Sequence, residues 1–175
     1  MTDVLVRGVN WGKWAGDAPA WLQAGEAPAH CLFDLRPTAN DLSVYRVPEG
    51  SPPDRVAVAL AGTKQRFDAA GFIAFDPAIV NDLGIVIDDT QAGKTPDPTV
   101  DEWHENLIQL SATAMARLAT RLWELRDDPQ VVLGQLLAPT VVKRLVEGVT
   151  KGELKLERMH ADLRPEVEKK IAEGG

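Results

Sequence analysis

Apolar residues recur at steps of three and four from Val100 through Trp103, Leu107, Leu110, Ala114, Leu118 and Leu122 to Leu125. That period predicts one amphipathic helix over residues 100–126, with Ile108, Met115 and Trp123 widening its apolar face beyond a coiled-coil seam. The entry reads Thr95-Pro96-Asp97-Pro98-Thr99, and Thr99 with Glu102 forms a Thr-x-x-Glu capping box. Asp101, Glu102 and Glu105 near the start, and Arg117, Arg121 and Arg126 near the end, match the sign of the helix dipole.

Before that helix the pattern changes to a period of two. Residues 4–9 read as a strand, and residues 31–36 and 42–47 alternate around Pro37-Thr38-Ala39-Asn40-Asp41, which predicts a β-hairpin with one buried and one wet face. The register of this sheet is not fixed by the pattern. Residues 54–67 fit strand by alternation or helix by their alanines; two preceding prolines and the Ala content favour helix. Residues 71–75 and 84–87 read as strands, with a helical turn at 78–83 between them.

After residue 126, Asp128-Pro129 reads as a helix start. Short helices are then expected over 130–138 and 140–147, the second closed by Gly148, followed by a Lys- and Glu-rich tail interrupted by Pro165. The fold expected is α+β: a small, mostly antiparallel sheet packed against the long helix, then a helical C-terminal tail. Residues 1–96 form the mixed part and residues 97–175 the helical part, packed together as one domain.

Composition narrows the class without naming a function. A chain of 175 residues with 45% hydrophobic and 26% charged residues is ordinary for a globular protein. Its net charge of −7 divides as 8 basic and 12 acidic residues in positions 1–96, and 11 and 14 in positions 97–175. Neither half is basic, which disfavours nucleic acid as a partner. The best such candidate, residues 140–160 with Lys143, Arg144, Lys151, Lys155 and Arg158, also carries glutamates that cancel much of the field. The N-terminus lacks a basic and apolar leader, and no run approaches the roughly 18 apolar residues of a membrane span, so a cytoplasmic protein with no membrane partner is expected.

Candidate chemistry is sparse. Asp88 and Asp89 at a strand end, with His104 and Glu105 in the first turns of the helix, are the one acid–base or metal-binding grouping, and turn and dipole roles already account for each. Gly93-Lys94-Thr95 lacks the upstream glycine of a phosphate loop, no Gly-x-Ser-x-Gly elbow is present, and Cys31 is the single cysteine. No cofactor and no metal are expected. Trp11, Trp14 and Trp21 cluster within eleven residues; such rings serve as a stacking platform for a ligand or, more ordinarily, as core anchors.

The function expected is therefore a non-enzymatic protein-interaction or accessory protein that binds a protein partner, or itself, through its helical C-terminal portion. Met115 and Trp123, off the main stripe, motivate this, as does the apolar run between Val131 and Val146. The alternatives are a small metal-assisted or acid–base enzyme using Asp88, Asp89, His104 and Glu105, and a DNA-binding regulator.

Overall fold

The structure, a computed structural model, describes residues 3–23, 26–89 and 93–174. Along the chain the elements are β1 (Val4–Val9), α1 (Trp11–Trp14), α2 (Ala29–Asp34), β2 (Leu42–Val47), α3 (Asp54–Ala61), β3 (Ala70–Phe75) and α4 (Pro77–Asp82). They continue with β4 (Val86–Asp88), α5 (Pro98–Glu102), β5 (His104–Ile108), α6 (Ala112–Glu124), β6 (Val131–Leu136), α7 (Ala138–Thr150), a 3₁₀ turn (Leu156–Arg158) and α8 (Arg164–Ala172). The six strands form one sheet in the order β4-β5-β2-β1-β3-β6, and every neighbouring pair is antiparallel. The α+β class and the antiparallel sheet stand, and strands on both sides of residue 96 share that sheet.

Both faces of the sheet are covered. Side chains alternate along a strand, so each strand sends residues to two cores. Leu5, Val44, Ile73, Phe75 and Leu107 pack with Trp14, Cys31, Ile79 and the inner face of α6. Val6, Tyr45, Val47, Phe72 and Ala74 pack with α3, Val100, α7 and α8. This is a three-layer arrangement with an antiparallel centre, whereas alternation had suggested a wet face. Among the described residues no helix is long and apolar enough to cross a membrane.

The single helix over 100–126 does not form. Its sequence is divided into α5, β5 and α6, with Gln109 at φ +57° as the break between the last two. Pairing of β5 with β2 on one side and β4 on the other overrides the helical period. Ser111 starts α6 by accepting from the Ala114 amide at 3.1 Å, and Met115, Leu118, Ala119, Leu122 and Trp123 form its buried stripe. The first turn of α5 is capped by Asp97, not Thr99.

The expected hairpin is also replaced. Residues 29–34 are helical, with Cys31 and Leu35 buried four residues apart while Phe33 between them is 72% exposed, a helical rather than a strand pattern. Residues 131–136, expected as helix, are β6; Asp128 holds the turn into it by accepting from the Gln130 amide at 2.9 Å. The C-terminal part is thus not purely helical. Where helix was preferred at 54–67 it forms as α3 and stops at Ala61, and α7 runs through Gly148, whose missing side chain makes room for Leu154. Pro165 lies in the first turn of α8 instead of interrupting a helix.

Candidate functional site

The sequence-predicted acid–base grouping is divided by strand alternation. Glu105 faces the same side as Val44, its partner on β2, while His104 lies opposite Tyr45 and faces the other side. There Glu105 receives the fork of Arg46, with Nε to Oε1 at 2.6 Å and Nη2 to Oε2 at 3.0 Å. His104 packs edge-on to the Tyr45 ring, centroids 5.3 Å apart. Asp88 pairs with Asn106, which places it on the His104 side, and Asp89 is exposed beyond the end of β4. Among the described residues no three His, Cys, Asp or Glu side chains are grouped to hold a metal ion.

The three tryptophans do not form one platform. Trp14 is fully buried, tilted against Trp123 with centroids 6.5 Å apart, and its Nε1 donates to Asp34 at 3.0 Å. Trp21 is 75% exposed, and Trp11 is 36% exposed at the mouth of a cleft.

That cleft lies beside the end of β1, between α3, β3 and β6, and at the same end of β1 the sheet parts in its middle. β1 and β2 pair only through Val4, Leu5 and Val6. Beyond that point β1 stays with β3 as far as Val9, while the first residues of β2 stay with β5. Arg7 occupies the fork, and its Nη1 donates to the Ser43 carbonyl at 2.9 Å, a side-chain donor where a neighbouring strand would otherwise supply an amide. Its Nε is buried with no hydrogen-bond partner. Burial lowers the pKa of this guanidinium, and Tyr45 and Asp34 oppose that shift. Arg7 lines a cleft of about 660 Å³ on one side and one of about 290 Å³ on the other.

Around the larger cleft the acidic groups are already committed. Asp34 accepts from the Asn10 amide at 2.7 Å and from Trp14, and lies 3.4 Å from the Lys13 ammonium. Asp68 pairs with Arg66 at 2.9 Å. Lys64 and Arg7 form no ion pair among the described residues. The signal for Arg7 was present in the sequence as a lone charge inside the apolar strand Val4–Val9.

Gln135, on the far wall of the same cleft, belongs to β6, the last strand of the sheet. The Asp76 amide donates to the Gln130 carbonyl at 3.1 Å, one step past the Phe75↔Val131 pair. Antiparallel ladders alternate hydrogen-bonded and open pairs, so Val132, Gly134 and Leu136 turn their backbone groups towards β3. Leu133 and Gln135 therefore turn theirs outward. Consistently, the outward amide of Val131 is taken by the Asp128 carbonyl at 3.0 Å. Nothing in the segment Val-Val-Leu-Gly-Gln-Leu blocks this edge: it holds no charge and no proline, and it is paired residue for residue with β3. Val132 is 51% exposed, and Leu137 just beyond is 62% exposed.

Compared with protein-family models, curated proteins and solved structures, the chain matches none.

Proposed function

We propose that this is a protein-interaction protein that works through the open edge of β6, and that its first partner is a second copy of itself. The observation that carries this is the unguarded edge. Proteins ordinarily protect a terminal strand with lysine, proline, a bulge or a covering element, because a free ladder of amides and carbonyls recruits another strand. Here Leu133 and Gln135 hold that ladder open, beside exposed Val132 and Leu137.

The edge is also complementary to itself. An antiparallel pairing about a twofold axis at Gly134 sets Leu133 of each copy opposite Gln135 of the other, joining the outward groups of both in reciprocal hydrogen bonds. In that register Val132 faces Leu136 and Val131 faces Leu137, apolar against apolar on each side of the sheet. Gly134 facing Gly134 leaves the axis free of side chains. The carboxylates and cations that give each chain its charge of −7 lie outside the strand.

Met115 and Trp123, which had motivated an interaction surface, lend it no support, since both are buried within the chain. The test is light scattering over a dilution series, combined with amide exchange. The mass is expected to rise from 19.0 kDa towards twice that value. The amides of Leu133 and Gln135 should slow together with it. Val132→Lys with Gln135→Pro should abolish the rise in mass and return the Leu133 amide to fast exchange without unfolding the sheet, because the Gln135 amide makes no bond within it. A 19.0 kDa particle at every concentration, with both amides exchanging at open-chain rates, would overturn the proposal.

A further inference from the structure

Large and small side chains alternate between β3 and β6 on the face that carries Val132. Ala70 pairs with Leu136 and Ala74 with Val132, so at both positions β6 holds the larger group. Between them the order is reversed, because Phe72 pairs with Gly134. A Cβ built on Gly134 would overlap Cζ and Cε1 of Phe72. The outer end of the ring therefore occupies the place of a side chain at Gly134, and Phe72 reaches from β3 across the edge strand.

We propose that Phe72 anchors the pairing of two copies: its ring end meets that of the second copy over the twofold axis, and this contact fixes the register. The proposal rests on the self-pairing of β6 about Gly134. Cβ positions directly opposite each other in an antiparallel pair lie about 4.5–5.5 Å apart. At the axis a ring end fills each of the two opposed Gly134 positions, which brings the rings into aromatic contact. Val132 and Leu136 of each copy flank them on the same face, so the strip across the junction is apolar throughout.

Neighbouring registers lose both the ring contact and part of the ladder. With the axis at Leu133, Gly134 faces Val132 of the second copy, and Gln135 faces Val131, whose amide is already given to the Asp128 carbonyl. With the axis at Gln135, Gly134 faces Leu136, and Leu133 faces Leu137, whose carbonyl already accepts from the Val141 amide. The axis at Gly134 satisfies Leu133 and Gln135 together and sets ring against ring.

The experiment places 4-fluorophenylalanine at position 72 of the full chain. It follows the fluorine resonance, the particle mass and amide exchange at Leu133 and Gln135 over one dilution series. A mixture of isotope-labelled and unlabelled wild-type chain reports proton contacts between copies. The fluorine resonance is expected to move in step with the mass, and the mixture to show contact between Phe72 rings. Phe72→Leu, which keeps an apolar side chain and loses the ring end, should weaken the dimer by about ten-fold. Phe75→Leu, on the opposite face of β3, should leave dimer affinity unchanged. Should Phe72→Leu fail to fold, the contacts in the wild-type mixture decide. A dimer that protects Leu133 and Gln135 without contact between Phe72 rings would overturn this role of Phe72 and leave the pairing of β6 standing, as would equal dimer affinity for wild type and Phe72→Leu. A 19.0 kDa particle at every concentration would overturn both.

Discussion

Asp97 receives the fork of Arg55, with Nε to Oδ2 at 2.6 Å and Nη2 to Oδ1 at 3.0 Å, and the same carboxylate caps α5. Its Oδ1 accepts from the Thr99 amide at 3.0 Å and from the Val100 amide at 3.4 Å. The hydrogen bond to Asp97 also raises the pKa of the Arg55 guanidinium. One side chain, only 2% exposed, thereby ties α3 to the start of α5 and fixes where β5 enters the sheet.

Removing it should be costly. Asp97→Ala loses a helix cap, typically worth about 1 kcal/mol, and strips a partly buried arginine of its partner, so a loss of about 2–4 kcal/mol is expected in denaturant unfolding. Thr99→Ala, which the capping-box reading would have made the sensitive site, should cost about 0.5 kcal/mol or less. Equal losses at the two positions would contradict the assignment of Asp97 as the cap.

The difference between these two residues shows how far the sequence was legible. Asp-Pro places a capping carboxylate before a proline at the first helical position, and both Asp76-Pro77 and Asp97-Pro98 act that way here. That local signal was present, yet the apolar repeat over 100–125 outweighed it. Periodicity records which positions are buried and not which partner buries them, so Leu107 fits a helical stripe as well as it fits the inner face of β5. Residues 31–36 failed in the opposite sense: Cys31, Phe33 and Leu35 alternate, but only Cys31 and Leu35 reach the core. β1, β3 and α4 were readable because turn or capping residues bound them closely, whereas α3 was readable at its start but not at its end, which falls at Ala61. The fork at Arg7 and the open edge at β6 were not, because both arise from which strands pair and where pairing stops.

Glu105 offers a direct test of how the acid–base grouping is divided. Bound to Arg46, it is expected to act as a structural partner: Glu105→Gln should lower stability by about 1–3 kcal/mol. A double-mutant cycle with Arg46→Met should return most of that as coupling between the pair. A stabilising shift with Mn²⁺ or Zn²⁺ in wild type that Glu105→Gln abolishes would show instead that Glu105 serves a metal.

Gly134 leaves no room for a side chain on β6. A Cβ built there would overlap the ring of Phe72, its partner across the strand pair, and that ring is itself nearly buried. Gly134→Ala should force the ring aside, at about 1–3 kcal/mol, and shift Phe72 resonances while leaving α6 undisturbed. Full stability in the alanine variant would mean that β3 and β6 are not in the Phe72↔Gly134 register, and the outward assignment of Leu133 and Gln135 would fall with it.

The alkaline limit of stability should be set largely by two buried acids. Burial, reinforced by Asp34 and opposed by Arg126 and Lys13, raises the Cys31 thiol from 9.0 to about 12. Burial with Asp101, against Arg7, raises Tyr45 from 10.0 to about 12. Both groups are uncharged when protonated, so above pH 9 the unfolded chain releases protons that the folded chain retains. The stability these groups contribute is complete below their unfolded values and is lost as pH rises towards 12, at up to about 1.4 kcal/mol per pH unit for each group. In Cys31→Ala the decline should begin near pH 10, where Tyr45 starts to titrate in the unfolded chain, instead of near pH 9. Native Cys31 should also resist thiol reagents at pH 8 until the chain unfolds, with a labelling rate that follows global opening. Labelling in seconds under native conditions, or an unchanged alkaline profile in Cys31→Ala, would show that the thiol is not held in the core between α2 and α6.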